Sequence, residues 1–313
     1  MRFHFFHPDP VSSLSLDVFE PLSGLDHWIV TTYLQVKDVF DASIGPQLPE
    51  DAIILFHKRF FPSAIKPLPS QFFICMQVDA GRHPYAHWHI VHNPFQESPL
   101  YFPKIIADSI FGFCRTLYRH PWPQHHLIRR NPARKESLNH ITFHGARSNL
   151  PQELFGHRFN SFLKEHGFQL TVKSDPDQWN DFSDSDLTFS FRTFDRFRHY
   201  AKPFLKITNS LLAGVPTIAG SESSSVYFRK NYVPVPLVRD LNDLIHILEQ
   251  IRLGTYLPLE QVQSFKKFEA EFQDESIRQS WILLLEQAAL TFNKWKRASE
   301  AKRNLFFELR KKM

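Results

Sequence analysis

The stretch KPFLKITNSLLAGVPTIAGSESSS, residues 202–225, decides how the rest of the chain is organised. Its first part predicts a helix over residues 204–213, because Pro203 suits a first helical turn and Gly214 suits a helix end. VPTIA then predicts a short buried strand, and GSESSS predicts a small polar loop after it. Lysines at a helix start beside a Ser/Gly loop are typical of α/β folds that hold a phosphorylated ligand at their strand ends.

Strand-like apolar runs alternate with helix-length segments on both sides of this stretch. Predicted strands cover residues 1–6, 52–57, 71–78, 89–92, 141–143, 168–172 and 186–191. Predicted helices cover residues 102–118, 151–167, 204–213, 240–253 and most of the chain after residue 257. Such alternation predicts an α/β fold with parallel sheets, arranged as two Rossmann-like lobes with a cleft between them.

Residues 123–138, PQHHLIRRNPARKESL, are polar, basic and poor in apolar side chains. Compositions of this kind are typical of linkers between domains. The sequence therefore predicts an N-terminal α/β lobe over residues 1–130 and a ligand-binding α/β lobe over residues 139–256. The remaining residues, 257–313, are predicted to form C-terminal helices that pack across the lobes.

The 313-residue chain is mildly basic, with a net charge of +5 and a pI of about 9.1. That balance fits an anionic small ligand or an anionic membrane surface, and it does not by itself indicate nucleic acid. Cys75 and Cys114 lie in apolar runs, which predicts buried free thiols and a reducing, cytoplasmic location. The N-terminal MRFHFFHPDP predicts a first strand rather than a secretory signal, and no apolar run reaches the length of a membrane span.

Part of the opening stretch resembles a known family. Lys-Pro-x-x-Lys-x-x-acid-x(4)-Gly-x-Pro is similar to the donor-site segment of nucleotide-sugar glycosyltransferases with the GT-B fold. The matching positions are Lys202, Pro203, Lys206, Asn209, Gly214 and Pro216. Asn209 departs from the family, because many members carry a ribose-binding Glu there, and Ala201 stands where retaining members with a paired-Glu motif carry their first Glu. The resemblance implies that residues 139–256 bind a nucleotide-sugar donor and that the N-terminal lobe lies on the acceptor side.

The candidate donor-binding residues follow predicted strands or begin a predicted helix. Gly145 lets backbone N–H groups approach a phosphate, and Arg147 and Arg192 carry guanidinium groups that can hold a diphosphate. Lys202 and Lys206 lie four residues apart on one helical face, where two cations oppose the helix dipole unless an anion lies nearby. The alternative for Gly145 and Arg147 is an ordinary turn between a strand and a helix, and the alternative for Arg192 is a surface arginine. The alternative for the two lysines is a solvated helix start.

Short polar side chains complete the predicted donor site. Asn209 and Glu222 can hydrogen-bond to ribose or sugar hydroxyls, although Asn209 does so without charge assistance. Ser221 and Ser223 can contact phosphate. The alternative for Glu222 is an ordinary loop acid, and the alternative for the serines is capping of the next helix.

The acceptor side has its own candidates. Asp79 and His83 follow the predicted strand at residues 71–78, and either could act as a general base on an acceptor hydroxyl or stabilise charge at the anomeric carbon. Asp9, in the loop after the first strand, is a further candidate. Ordinary loop polarity is the alternative for all three.

The 17 histidines do not form a recognisable metal motif. The closest groupings, His87-x-His89, His92 and His125-His126, lack the spacing of zinc sites. We therefore expect no metal and no cofactor, with Lys202 and Lys206 neutralising a diphosphate leaving group in place of a divalent cation.

The C-terminal residues 302–313 mix apolar and basic side chains. We expect this helix to pack its apolar face on the body of the protein, and in GT-B proteins the last helices often cross back to the first lobe. The alternative is a peripheral contact with the inner face of an anionic membrane, where a lipid-linked acceptor is found.

These features predict a metal-independent glycosyltransferase that moves a sugar from a nucleotide-diphospho-sugar to a hydroxyl of a glycan, lipid-linked or small-molecule acceptor. A non-catalytic, two-lobed nucleotide- or sugar-binding protein is the alternative, favoured by Ala201 and Asn209 in place of acids. A nucleic-acid partner, bound through the basic runs at residues 129–135 and 192–199, is disfavoured because the aromatic side chains there do not alternate with base-spaced cations in the pattern of a known nucleic-acid reader.

Overall fold

The computed structural model describes residues 1–11, 24–62, 64–97, 112–135, 137–195, 197 and 199–311. Two compact units make up the chain. The first unit comprises Met1–Trp122 together with Asp274–Met313, and the second unit comprises Pro123–Gln273. Residues 123–130 and 257–273 therefore belong to the second unit, and the last helices belong to the first.

Both units consist of strands and helices that alternate along the chain. In chain order, the strands are β1 Arg2–Phe6, β2 Asp41–Gly45, β3 Ile53–His57, β4 Phe72–Val78, β5 Trp88–Val91, β6 Arg115–Tyr118, β7 His140–His144, β8 Gln169–Lys173, β9 Leu187–Ser190, β10 Thr217–Gly220 and β11 Leu237–Val238. The helices are α1 Thr31–Val36, α2 His157–His166, α3 Leu205–Leu212, α4 Ser223–Asn231, α5 Leu241–Arg252, α6 Leu259–Phe265, α7 Asp274–Arg297 and α8 Glu300–Lys311.

Six parallel strands form the sheet of the first unit, in the order β2-β1-β3-β4-β5-β6. β3 and β4 are buried along their whole length, with the sequences IILFH and FFICMQV. Continuous apolar strands of this kind are expected in a parallel sheet that is covered on both faces. Cys75 in β4 and Cys114 before β6 are buried and form no disulfide, as predicted.

The last two helices complete the first unit. α7 buries a set of side chains at helical spacing: Ile277, Trp281, Leu284, Leu285, Ala288, Phe292 and Trp295. In α8, Phe306 and Phe307 are buried, whereas Leu305 and Leu309 are exposed. The guanidinium of Arg310 donates hydrogen bonds to the carbonyl groups of Pro84 and Ala86, at 2.7 and 3.0 Å. These contacts fix α8 against the first unit.

Five parallel strands form the sheet of the second unit, in the order β11-β10-β9-β7-β8. The chain crosses from the edge strand β8 over β7 to β9, so the strand order reverses beside β7. In open parallel sheets, ligands bind at the carboxyl ends of the strands near such a reversal. The two parallel sheets and their helices confirm the predicted α/β fold.

The predicted helix over residues 102–118 is wrong at its end. Arg115–Tyr118 form β6, and the part at residues 102–111 lies outside the described residues. The strand forms because it pairs in parallel with β5, and a distant partner of this kind leaves no local signal in the sequence. The predicted helix over residues 151–167 is divided, because a 3₁₀ turn at Gln152–Phe155 precedes α2.

Asp186, immediately before β9, anchors the segment that was predicted to be a linker. Its fully buried carboxylate accepts a hydrogen bond from Arg130 Nη2 at 3.0 Å and two from Arg134 Nε and Nη2 at 2.6 and 2.8 Å. The Ser137 hydroxyl and the backbone N–H of His140 donate to it as well. Burial would raise the pKa of Asp186, but these donors outweigh burial and hold that pKa well below its usual range.

The basic run at residues 129–135 is therefore engaged within the fold. In addition to the pairs with Asp186, Arg129 Nη2 lies 3.0 Å from a carboxylate oxygen of Glu269. Guanidinium groups that already hold carboxylates are poorly suited to bind phosphates of a polynucleotide. This arrangement removes the main support for the nucleic-acid alternative.

Replacing Asp186 by Ala should lower the free energy of unfolding by about 3–5 kcal/mol, because two guanidinium groups lose their buried counter-ion. Since the pKa of Asp186 is lower in the folded state than in the unfolded state, its contribution is complete above about pH 5 and declines as the pH falls. Urea unfolding of both proteins at pH 7 and pH 3 measures the loss, which should be smaller at pH 3.

The control is Asp51→Ala, which breaks the exposed pair between Asp51 and Lys296. An exposed pair contributes about 0–1 kcal/mol, so this variant should unfold almost like the parent protein. Equal losses for Asp51→Ala and Asp186→Ala would contradict the anchoring role of Asp186.

Candidate active site at the strand ends of the second unit

The carboxyl ends of three neighbouring strands and the start of one helix form the candidate site. Gly145 follows β7, Arg192 lies just after β9, and Glu222 lies just after β10. Because these strands are adjacent in the order β10-β9-β7, the three residues come to the same edge of the sheet. Lys206 reaches this edge from the first turn of α3, whose range agrees with the predicted helix over residues 204–213.

The connection between β10 and α4 is shorter than the predicted GSESSS loop. Gly220 ends β10 and Ser223 begins α4, so only Ser221 and Glu222 connect them. A Cβ atom on Gly220 would lie 2.8 Å from the Cβ of Phe191, so glycine is required where β10 approaches the end of β9. This close approach brings Glu222 against the residue that follows Phe191, which is Arg192.

Lys206 is held at the end of β7. Its ammonium group donates a hydrogen bond to the carbonyl oxygen of His144 and lies 3.8 Å from the centroid of the Phe143 ring. Gly145 has a φ of +145°, and a Cβ atom there would lie 2.7 Å from Lys206 Nζ. The turn after β7 therefore favours glycine for its backbone conformation, and a side chain there would displace the lysine ammonium.

Arg192 and Glu222 form a buried ion pair. Arg192 Nη1 lies 3.0 Å from Glu222 Oε2 and 3.3 Å from Oε1. Only 15% of the Arg192 side chain and 4% of the Glu222 side chain are exposed. The neighbouring Arg196 and Arg198, which belong to the same basic run, lie outside the described residues.

The electrostatics of this edge are dominated by cations. Burial lowers the pKa of Lys206 well below its usual value, Arg192 and Lys202 lower it further, and Glu222 opposes them. Burial also raises the pKa of Glu222, although Arg192, Lys206 and Lys202 act against that rise. A lysine whose charged form is disfavoured in this way gains stability when an anion binds beside it.

Other predicted donor-binding residues have partners elsewhere. The amide oxygen of Asn209 accepts a hydrogen bond from the backbone N–H of Gln124 at 3.1 Å. The Ser221 hydroxyl donates to the Val238 carbonyl at 3.2 Å, and the Ser223 hydroxyl donates to the Tyr200 carbonyl. The Arg147 guanidinium lies 3.7 Å from the centroid of the Phe155 ring. The structure thus brings Gly145, Arg192, Lys206 and Glu222 into one cluster, with Lys202 near enough to affect its charges.

The two predicted acceptor-side residues differ in setting. Asp79 follows β4, and its carboxylate lies 2.9 Å from Arg59 Nη2. His83 is buried in edge-to-face contact with Phe56 and Phe61, and burial lowers its pKa to about 4. His83 therefore has a packing role in this structure, and its role as a general base stays a prediction.

His92, directly after β5, is a candidate that the sequence reasoning did not select. Its Nδ1 lies 2.9 Å from the Arg119 carbonyl, so that nitrogen carries the proton and Nε2 has a free lone pair. Within the described part of the chain, Nε2 is buried and has no hydrogen-bond partner. The ring stacks on Trp28 at 4.1 Å. Its position just after a buried strand was the available signal.

The carboxyl end of β4 is also unusual. Val78 has a φ of +50°, which is rare for a β-branched residue, and the register with β5 shifts between Met76 and Val78. Strained backbone at a strand end is typical of functional regions. Asp79, a predicted acceptor-side residue, directly follows this strained position.

The described residues contain neither a cluster of metal-ligating side chains nor a helix that could cross a membrane. Among the described residues, no three His, Cys, Asp or Glu side chains converge as a metal ion would require. No helix in the described ranges is long and apolar enough to cross a membrane.

Comparisons with known proteins identify the fold. No protein-family model matches the chain, and no curated protein is similar enough to count as a relative. HepE from Anabaena, in complex with UDP and glucose, is 10% identical with a TM-score of 0.51, and the match covers 92% of this chain and all of HepE. HepE in complex with UDP gives 12% identity, a TM-score of 0.50 and the same coverage. AviGT4, a glycosyltransferase involved in avilamycin A biosynthesis, gives 11% identity, a TM-score of 0.48, and coverage of 94% of this chain and 97% of AviGT4. The likeness to HepE supports the GT-B fold that the sequence predicted.

Gly145→Ala should lower the free energy of unfolding by about 1–3 kcal/mol, because the methyl group meets Lys206 Nζ and the backbone conformation disfavours any side chain. Gly24→Ala is the control, since no atom of the described residues beyond its chain neighbours lies within 4 Å of a Cβ there and the position has no positive φ. Chemical denaturation of both variants tests this. A loss for Gly145→Ala no larger than for the control would show that the turn tolerates a side chain.

Proposed function

We propose that this protein is a glycosyltransferase that uses a nucleotide-diphospho-sugar donor. One observation carries the proposal: the ammonium of Lys206 and the guanidinium of Arg192 lie at neighbouring strand ends and interact electrostatically, in a partly desolvated cluster where cations outnumber the carboxylate of Glu222. Side chains of one charge are not gathered in this way without a compensating anion. A diphosphate at the carboxyl edge of a parallel sheet supplies that anion.

The same groups account for how the reaction is assisted. When the bond between the sugar and the diphosphate breaks, negative charge develops on the departing phosphate oxygen. Lys206, Arg192 and Lys202 stabilise that charge from fixed positions, which is the most effective form of electrostatic assistance. Two or three cationic side chains can take the place of a divalent cation, so the proposed transfer does not require a metal.

The likeness to HepE supports a nucleoside diphosphate as the leaving group, since HepE was solved with UDP. At this level of identity the likeness concerns the fold alone, so the nucleotide base and the sugar of the donor do not follow from it. We propose UDP as the first nucleotide to examine. We further propose that the transferred group is a hexosyl group and that the transfer needs no metal.

On the acceptor side, we propose that His92 orients the acceptor hydroxyl. Its Nε2 lone pair, which has no partner among the described residues, accepts a hydrogen bond from that hydroxyl, and the Arg119 carbonyl fixes the ring. Burial lowers the pKa of His92 to about 3, so the imidazole stays neutral at physiological pH and keeps the lone pair on Nε2. A group with so low a pKa is a weak base, so its main contribution is orientation.

The alternative is a protein that binds a nucleotide sugar without transferring the sugar. Asn209 favours this alternative, because its amide oxygen is already bonded to the backbone of Gln124 and no acid stands in its place. The two functions differ in turnover. Release of a nucleoside diphosphate from the donor, with or without acceptor, occurs only if the protein is a transferase.

Thermal unfolding with UDP, GDP, ADP and TDP, each with and without EDTA, tests the donor site. One nucleotide should raise the midpoint in an EDTA-insensitive way, because a ligand at a hundred times its Kd adds about 2.7 kcal/mol to the free energy of unfolding. Lys206→Met keeps an unbranched aliphatic side chain but removes the ammonium, and it should weaken binding by roughly 10- to 100-fold.

The matched control is Lys230→Met, which removes an exposed lysine of the second unit and should leave the shift unchanged. Absence of a shift with all four nucleotides would overturn the donor site. A shift that EDTA abolishes would contradict the metal-independent form of the proposal.

His92→Phe tests the acceptor side. It keeps the stack on Trp28 and removes the lone pair, so transfer to acceptor should fall by roughly 100-fold while nucleotide binding stays unchanged. Asp79→Asn and His83→Phe, measured in the same assay, test the residues that the sequence predicts for this role. Full transfer by a folded His92→Phe variant, with loss in one of the other two, would move the role to that residue.

A further inference from the structure

Glu222 is the one acidic side chain among the residues of the candidate cluster. Its carboxylate is almost fully buried, with 4% exposure, and both oxygens lie within 3.3 Å of Arg192 Nη1. The charges of Lys206 and Lys202 also act on it. An acid in this position reduces the very field that would attract a phosphorylated ligand, so its presence needs an explanation.

Helix capping does not explain this carboxylate. Glu222 stands at the N-cap position of α4, yet within the described chain its side chain makes no capping hydrogen bond. Glutamate is a poor N-cap residue, and serine or aspartate would serve that purpose better. The side chain is directed instead toward Arg192, which lies across the junction of β9 and β10. Its partner is therefore a residue of the candidate site.

An ion pair of this kind competes with a ligand. A guanidinium group has a limited number of donors, and Arg192 Nη1 is already directed at both oxygens of Glu222. A phosphate that binds Arg192 through the same nitrogen must displace the carboxylate or share the nitrogen with it. In either case the negative charge of Glu222 stays close to the phosphate, and like charges repel strongly when little water separates them.

We propose that Glu222 is an internal counter-anion that competes with the ligand's phosphates for Arg192. This competition makes the site favour a nucleotide sugar, whose diphosphate is esterified at both ends, over a free nucleoside diphosphate. This inference rests on the proposed function. It assigns Glu222 a role opposite to ribose binding: the carboxylate weakens the binding of phosphate, and does so most for the ligand with the highest charge.

The difference in ligand charge follows from elementary chemistry. A sugar attached to the terminal phosphate leaves one negative charge on each phosphate. After transfer, the terminal phosphate is joined only to the other phosphate, and its second pKa is about 6, so the product carries nearly one more negative charge at neutral pH. Repulsion by Glu222 therefore grows as the sugar leaves. The consequence is faster release of the product and weaker inhibition by it.

The test is calorimetric titration of the parent protein and of Glu222→Gln with UDP and with UDP-glucose. Glutamine preserves size and can still accept a hydrogen bond from Arg192, so the substitution removes charge without opening a cavity. Glu222→Gln should bind UDP at least about tenfold more tightly and UDP-glucose by a smaller factor, because the two ligands differ by one charge. If GDP, ADP or TDP gives the thermal shift instead of UDP, that nucleotide and its glucose conjugate replace UDP and UDP-glucose in the titration.

Two further variants make the interpretation specific. Glu260→Gln removes one negative charge from an exposed position on the second unit and should leave both affinities unchanged. In a protein that already carries Arg192→Gln, adding Glu222→Gln should increase the affinity for UDP much less than it does in the parent protein, because the competition is for that guanidinium. An equal gain in the presence and absence of Arg192 would overturn competition for Arg192.

The outcomes separate this inference from the proposed function. Weaker binding of both ligands by Glu222→Gln would mean that the carboxylate holds ribose or sugar hydroxyls, and it would overturn the inference while leaving the donor site intact. Equal tightening of both ligands would overturn the discrimination between donor and product. Failure of the parent protein and of Glu222→Gln to bind any of the nucleotides would overturn both.

Discussion

The second unit depends on the position of one ammonium group. Lys206 Nζ lies between the carbonyl of His144 and the face of Phe143, in space that a side chain at residue 145 would fill. Parallel strands bring Arg192 to the same edge, so two cations share a region with little water. Glu222 supplies part of the missing negative charge, and the proposed diphosphate supplies the remainder. The turn at Gly145, the order of the strands and the chemistry of the proposed ligand are therefore all linked to the need for negative charge beside Lys206 and Arg192.

Much of this edge could be predicted from the sequence because its signals are local. Pro203 and Gly214 bracket α3, and the apolar runs before residues 145 and 192 indicate where strands end. In a parallel sheet, residues that follow strands meet at one edge whatever the exact register. The set of Gly145, Arg192, Lys206 and Glu222 therefore follows from pattern, although the direct pairing of Arg192 with Glu222 does not.

The remaining features depend on contacts between distant residues. Arg115–Tyr118 is a strand because β5 lies beside it, and the arginines near residue 130 are structural because Asp186 is buried among them. The tautomer of His92, with its lone pair on Nε2, follows from a hydrogen bond to residue 119. A sequence gives these groups without their partners. A basic run therefore suggests an exposed binding surface, and a histidine after a strand does not by itself indicate a role. Tertiary partners decide both cases.

A crystal structure of the protein with UDP bound tests the central claim most directly. The account predicts phosphate oxygens within hydrogen-bond distance of Lys206 Nζ and of the Arg192 guanidinium, with the Arg192–Glu222 contact lengthened or lost. It also predicts that the backbone at Gly145 approaches the diphosphate. UDP bound away from the ends of β7, β9 and β10, with Lys206 and the Arg192–Glu222 pair unchanged, would contradict it.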